Sequence, residues 1–131
     1  MKRIIFVALI SCLFVSCYYD KADVINPNAA FVGCDTTSVS YSATVAPIIA
    51  TYCAQNSGCH GANPESIGGK LTLNDYTSLS TYVKSNKDIF LRDINWTSSN
   101  ASNNMPQSAS KLSDCNLNKL SAWINQGAKN N

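Results

Sequence analysis

The densest group of reactive side chains is the stretch CAQNSGCHG, where five residues separate Cys53 from Cys59 and His60 follows directly. Two cysteines with a histidine after the second are typical of c-type haem attachment, in which the thiols add to porphyrin vinyl groups and the histidine binds iron. The usual motif has two intervening residues, so five require the loop to bulge, which Gly58 makes easier. The stretch predicts a haem c site whose covalent attachment depends on this longer loop.

Met105, in the stretch NNMPQ, is the candidate for the second iron ligand. Pro106 follows it and fixes the direction of the loop. The alternative role for Met105 is to fill a gap in the core. Because His60 is the only histidine in the chain, bis-histidine haem ligation is excluded, as are copper and zinc sites built mainly on imidazoles.

The N-terminus has the layout of a bacterial secretory signal, with two basic residues ahead of an apolar run from Ile4 to Val15. This run is too short to span a bilayer stably. A small residue precedes both Cys12 and Cys17, as at a lipoprotein cleavage site. Cleavage before Cys12 would leave the signal with only a short apolar run and would expose apolar residues on the surface of the mature protein. Cys17 is therefore the predicted lipidation site. An ordinary signal that is simply removed is the alternative.

The sequence divides into a signal peptide (residues 1–16), a lipidated tether (17–33) and one domain (34–131). The tether shows no sustained period and contains Pro27 beside two asparagines. The absence of an acidic residue directly after Cys17 favours the outer membrane, with the protein facing the periplasm. We therefore expect an exported protein of the cell envelope that contacts the membrane through its lipid.

Charge and cysteine content narrow the function further. The chain has ten basic residues, of which Lys2 and Arg3 lie in the signal, against eight acidic residues. The mature chain is therefore formally neutral, and no nucleic-acid surface is expected. Beyond the signal and Cys17 the chain has an even set of cysteines, which an oxidising compartment should commit fully to covalent bonds.

A cysteine–histidine nucleophilic pair is the competing catalytic interpretation. Adjacent residues such as Cys59 and His60 point in different directions, and cysteines held in covalent bonds leave no free thiolate. An iron with both axial positions filled also has no open position for a substrate. We therefore predict that the chain is not an enzyme.

The apolar spacing predicts a mostly α-helical domain with long loops. A first helix has Ser42 or Thr44 as its cap and runs through Pro47, and a second is capped by Asn74. A third covers residues 88–94, and the polar stretch from Asn95 to Ser110 is expected to lack regular structure. The clearest helix starts at the cap Ser113, buries a face of leucine and isoleucine, and ends at Gly127. A domain this small, with long loops, needs something besides its own side chains to fill its core.

From Cys34 to its end, the chain resembles the small single-haem cytochrome c-like lipoproteins of Gram-negative bacteria, the class I-like or planctomycete-type cytochrome c domains. The landmarks are VAPII, CHG, GGKLTLNDY, MP and KLSDCNLNKLSAWINQGAKNN, in that order. The resemblance implies that the helix before the haem motif crosses the C-terminal helix, with haem in the crevice between them. His60 then corresponds to the proximal ligand and Met105 to the distal one.

In the same family picture Cys53 and Cys59 take the thioether positions, and Cys34 pairs with Cys115 in a disulfide. The expected function is that of a monomeric one-electron carrier serving a redox partner protein in the envelope. The alternative is a haem-free binding or structural lipoprotein on a degenerate scaffold, in which Cys53 also pairs with Cys59. The fate of these two thiols distinguishes the two hypotheses.

Overall fold

The computed structural model describes residues 34–55, 59–62 and 69–131. The predicted signal, both candidate lipidation cysteines, the tether and Gly58 lie outside these residues. The described part is mostly helical and contains no strand, which confirms the predicted helical class, and none of its helices is long and apolar enough to cross a bilayer. The helices are α1 (Ala46–Tyr52), α2 (Tyr76–Ser85), α3 (Lys87–Ile94) and α4 (Asp114–Asn125).

Side-chain caps start α2 and α4 close to where the sequence predicts. Ser113 caps α4 as expected, accepting a hydrogen bond from the backbone of Asn116 at 3.3 Å. The cap of α2 is Asp75 rather than the predicted Asn74, and its carboxylate accepts from the backbone N–H of Ser78 at 2.9 Å. A charged carboxylate at this position also interacts favourably with the positive end of the helix.

The first helical segment begins earlier than the sequence predicts. A π-helical turn, Tyr41–Val45, leads directly into α1, and its cap is Ser40 rather than Ser42 or Thr44. Pro47 lies in the first turn of α1, as the sequence predicts. The prediction was wrong about the cap because the apolar spacing of a π turn differs from that of an α-helix.

The polar stretch before α4 is more regular than expected. A short 3₁₀ turn, Ala101–Asn103, forms within it, and the side chain of Asn100 accepts a hydrogen bond from the backbone of Ser102 at 3.0 Å. The rest of the stretch lacks helix and strand. Asparagine in such a turn supplies the acceptor that a longer helix would supply from its backbone.

Buried side chains from all four helices form one core. Trp123 of α4 lies near its centre, with Tyr41 packed beside its ring at a centroid distance of 5.8 Å. Tyr41 also packs edge-on against Tyr76 at 5.1 Å, which joins the start of α2 to the same cluster. The largest fully buried side chains are Trp123, Ile49, Leu79, Leu120, Val45 and Val83.

The start of the described chain is fastened to its end. Cys34 and Cys115 form a disulfide with a Cα–Cα distance of 5.5 Å, the pairing implied by the family resemblance. The side chain of Gln126 accepts from the Val39 amide at 3.1 Å and donates to the Thr36 carbonyl at 2.9 Å. The first segment therefore lies along the end of α4.

Replacing both cysteines of this disulfide by serine should lower the free energy of unfolding by roughly 2–5 kcal/mol, because a long loop of the unfolded chain loses its constraint. Urea unfolding of the non-reduced protein measures the loss. Ser110→Ala, at an exposed position outside the disulfide, is the control. A double variant with the same midpoint and slope as the parent would contradict the prediction.

Candidate functional site

Backbone hydrogen bonds hold His60 on both sides in the loop after α1. Its N–H donates to the carbonyl of Cys53, the residue that caps the end of α1, at 2.9 Å. Its carbonyl accepts from the N–H of Leu73, also at 2.9 Å. The histidine is therefore fixed between the end of α1 and the segment that leads to α2.

A further hydrogen bond orients the His60 ring. Nδ1 lies 2.9 Å from the carbonyl oxygen of Leu71. A carbonyl can only accept, so Nδ1 carries the hydrogen, and in the neutral ring the free lone pair is on Nε2. Histidines that bind metals through one nitrogen commonly donate from the other nitrogen in this way. The arrangement leaves Nε2 as the ligand atom.

Three of the predicted site residues, His60, Met105 and Cys53, line one cavity of about 580 Å³. This volume lies within the roughly 300–1,000 Å³ that is typical of small-molecule and cofactor sites. The apolar part of the lining comes from Leu71, Leu73, Tyr82, Phe90 and Ile94. Its polar part comes from Lys70, Asp93, Ser102, Asn103 and Gln107.

The charges in this lining are few and partly neutralised. The carboxylate of Asp93 forms a salt bridge with Arg92 at 2.8 Å. Burial raises the pKa of Tyr82, and the negative charge of Asp93 adds to this rise while Arg92 opposes it. A phenol with a raised pKa is protonated at neutral pH, so Tyr82 adds no charge to the lining.

Met105 is held at the cavity by its own backbone. Its N–H donates to the carbonyl of Asp93, in the last turn of α3, at 3.0 Å. Its carbonyl accepts from the indole Nε1–H of Trp96 at 2.8 Å. The peptide bond between Met105 and Pro106 is cis. Both polar groups of the Met105 backbone are thus used to attach the loop to the end of α3.

Trp96 has an unusual backbone conformation for its residue type. It follows Asn95, the C-terminal cap of α3, and has a φ of 58°. Left-handed backbone costs a residue with a Cβ on the order of 1–2 kcal/mol, and glycine is common at this position after a helix. Its side chain is 39% exposed.

The two cysteines of the predicted attachment motif differ in their surroundings. Both are free thiols in the structure. Burial raises the pKa of the Cys53 thiol to about 12, and the nearby Cys59 adds to the rise. Cys59 is half-buried and is not among the residues that line the cavity. The structure therefore brings one of the two predicted thioether positions to the cavity.

The longer spacing of the motif does not separate its two ends. The hydrogen bond from the His60 N–H to the Cys53 carbonyl spans the inserted residues and brings the two backbones together. A motif with fewer residues would need the same approach of the histidine to the first cysteine. His60 and Cys53 therefore reach one cavity despite the longer spacing.

Several contributors to the site could not be found from the sequence. The Leu71 and Asp93 carbonyls carry no residue-type signal, because every residue has a carbonyl. Tyr82 fits the apolar spacing of a helix, and Trp96 lies in the polar stretch that was expected to lack regular structure, so neither residue indicated a place at the site.

No protein-family model, curated protein or solved structure matches the chain. Across the described ranges, no group of three or more His, Cys, Asp or Glu side chains is arranged to hold a metal ion. The candidate donors of this site are an imidazole and a thioether.

In chain purified without haem and reduced, Cys53 should react with iodoacetamide at neutral pH at least about tenfold more slowly than Cys59. The reason is that burial keeps Cys53 in its unreactive thiol form. Peptide mass mapping after timed alkylation measures both rates, and alkylation in urea serves as the control for full exposure. Equal rates in the folded chain would contradict the buried position of Cys53.

Proposed function

We propose that the chain binds one haem c in the 580 Å³ cavity and serves as a one-electron carrier. The observation that carries this proposal is the convergence of His60, Met105 and Cys53 on that cavity, with the His60 Nδ1 hydrogen committed to the Leu71 carbonyl. When bound, the haem would supply an iron that takes up and releases one electron.

Different residues of the chain would hold different parts of this group. His60 offers Nε2 as the first ligand, and the Leu71 carbonyl keeps its ring in one orientation. Met105 offers a thioether as the second ligand, which favours the reduced iron and raises the potential. The apolar side chains of the lining limit the access of water, which also raises the potential.

The residues present fit a haem in donor type and in space. An imidazole nitrogen and a thioether sulfur are a known axial pair for haem iron. Cys53 in the cavity lining fits the first thioether position. Cys59 would take the second position, which requires its side chain to reach the haem edge from just outside the lining.

The proposal includes a place in the cell. The predicted signal and the lipid on Cys17 would anchor the domain to the membrane, at the outer membrane facing the periplasm. A tethered one-electron carrier needs a redox partner protein in the same compartment, and a neutral mature chain does not favour a strongly charged partner. We propose a monomer without enzymatic activity and without nucleic-acid partners.

The second candidate is a haem-free binding or structural lipoprotein stapled by disulfides. The position of Cys59 outside the cavity lining favours it, as does the Cys34–Cys115 disulfide. In this case Cys53 and Cys59 would oxidise to each other after export, and the cavity would hold another small molecule or solvent.

The deciding experiment expresses the full precursor in a bacterium that carries the c-type cytochrome maturation system. The intact mass of the mature protein and its reduced pyridine haemochrome spectrum are then recorded. One haem of added mass with the spectrum of thioether-linked haem supports the electron carrier. A mass explained by lipid and two disulfides supports the haem-free candidate.

Within the first candidate, His60→Ala should abolish stable haem incorporation because it removes the proximal ligand. Met105→Ala should leave haem attached and lower the reduction potential by tens to hundreds of millivolts, within the roughly 0.8 V that axial ligands span. Spectroelectrochemistry measures the potential. Ser110→Ala, at an exposed position of the same loop, is the control. An unchanged spectrum and potential in Met105→Ala would show that Met105 is not the distal ligand.

A further inference from the structure

The C-terminal end of α3 is the attachment point for the Met105 loop. A helix end leaves carbonyl groups without partners inside the helix. The carbonyl of Asp93 accepts from the N–H of Trp96 at 3.2 Å and from the N–H of Met105 at 3.0 Å. The same helix end therefore fixes both the tryptophan and the methionine.

Trp96 adds a second attachment through its side chain. Its indole Nε1–H donates to the Met105 carbonyl at 2.8 Å, a short bond for this pair of groups. The Met105 backbone thus has one bond to the helix end and one to the side chain that follows the helix. Together they limit both translation and rotation of the peptide groups on either side of the Met105 Cα.

A tryptophan is unexpected at position 96. The backbone there is left-handed, with a φ of 58°, a conformation in which glycine is unstrained. Trp96 is also one of the most exposed large apolar residues of the described chain. Strained residues of this kind persist where the surrounding structure needs them, and they cluster at functional sites. The indole bond to Met105 supplies such a need.

We propose that Trp96 is a positioning residue for Met105. The indole N–H of Trp96 sets the location of the Met105 thioether at the cavity. The inference rests on the proposed function insofar as the thioether serves as an iron ligand. Trp96 is not itself among the residues that line the cavity, although it contacts Met105, which is. It acts through the Met105 carbonyl alone.

The test is Trp96→Phe, which keeps an aromatic ring and the left-handed backbone but removes the N–H donor. Trp123→Phe is the control for loss of an indole donor elsewhere, because the Trp123 indole also donates to a backbone carbonyl, that of Lys129 at 2.9 Å. Since Trp123 is buried in the core, its effects are compared after correction for the change in stability. Two signals are followed in the purified mature chain: hydrogen exchange of the Met105 amide and the methyl NMR resonance of Met105. If haem is bound, the red charge-transfer band of methionine-ligated ferric haem and the potential are added.

Trp96→Phe removes the indole bond to the Met105 carbonyl, one of the two bonds that hold the Met105 backbone at the end of α3. The loop should then open more often, so that exchange of the Met105 amide speeds up by roughly three- to tenfold, the effect of losing one hydrogen bond. The methyl resonance of Met105 should also shift. In haem-loaded protein the charge-transfer band should weaken and the potential should fall. Trp123→Phe should leave the Met105 signals unchanged once any loss of global stability is subtracted. Urea unfolding of each variant provides that correction.

The outcomes separate this inference from the proposed function. Unchanged exchange, methyl resonance and band in Trp96→Phe would overturn the role of Trp96 even if the parent protein carries haem. A parent protein without haem whose Trp96→Phe variant shows faster exchange and a shifted methyl would support the positioning of Met105 by Trp96. In that case only the electron-carrier proposal falls. Equal changes in both tryptophan variants would also overturn the inference, since the effect would then be global.

Discussion

The hydrogen bond between the His60 N–H and the Cys53 carbonyl is the contact on which the cavity depends. It brings the chain back to the end of α1 after the inserted residues. From there His60 meets Leu71 through its ring and Leu73 through its carbonyl. The Cys53 and Leu73 bonds together fix the His60 backbone, and the Leu71 carbonyl fixes its ring. Backbone contacts on both sides of His60 thus orient its imidazole.

The same physical device holds the other side of the cavity. Cys53 caps the end of α1, and Asp93 lies in the last turn of α3. Both offer carbonyl groups that the helix itself does not use, and each of these carbonyls accepts an N–H from a loop that carries a candidate ligand. The ends of two short helices therefore act as supports for the residues that carry His60 and Met105. This explains how a small domain with long loops can still place side chains with precision.

Side-chain chemistry was predictable from the sequence, and backbone chemistry was not. The helices followed from apolar spacing and from caps such as Ser113. The three side chains of the cavity that carry chemistry followed from residue type and order. The start of the first helical segment was missed because the π turn at Tyr41–Val45 breaks the expected spacing. The partners that fix the site, such as the Leu71 carbonyl and the Trp96 indole, depend on tertiary placement that no residue pattern encodes.

The disulfide and the Gln126 contacts let a force pass through the domain without passing through the residues of the cavity. The described residues that line the cavity run from Cys53 to Gln107 in the sequence. A pull on the chain at Cys34 passes through the disulfide to Cys115 and into α4 without following the backbone from Cys53 to Gln107. The end of α4 is bound to the first segment as well, through the Thr36 carbonyl. A force applied at the beginning of the domain is therefore carried by α4 and is not transmitted along the loops that hold His60 and Met105.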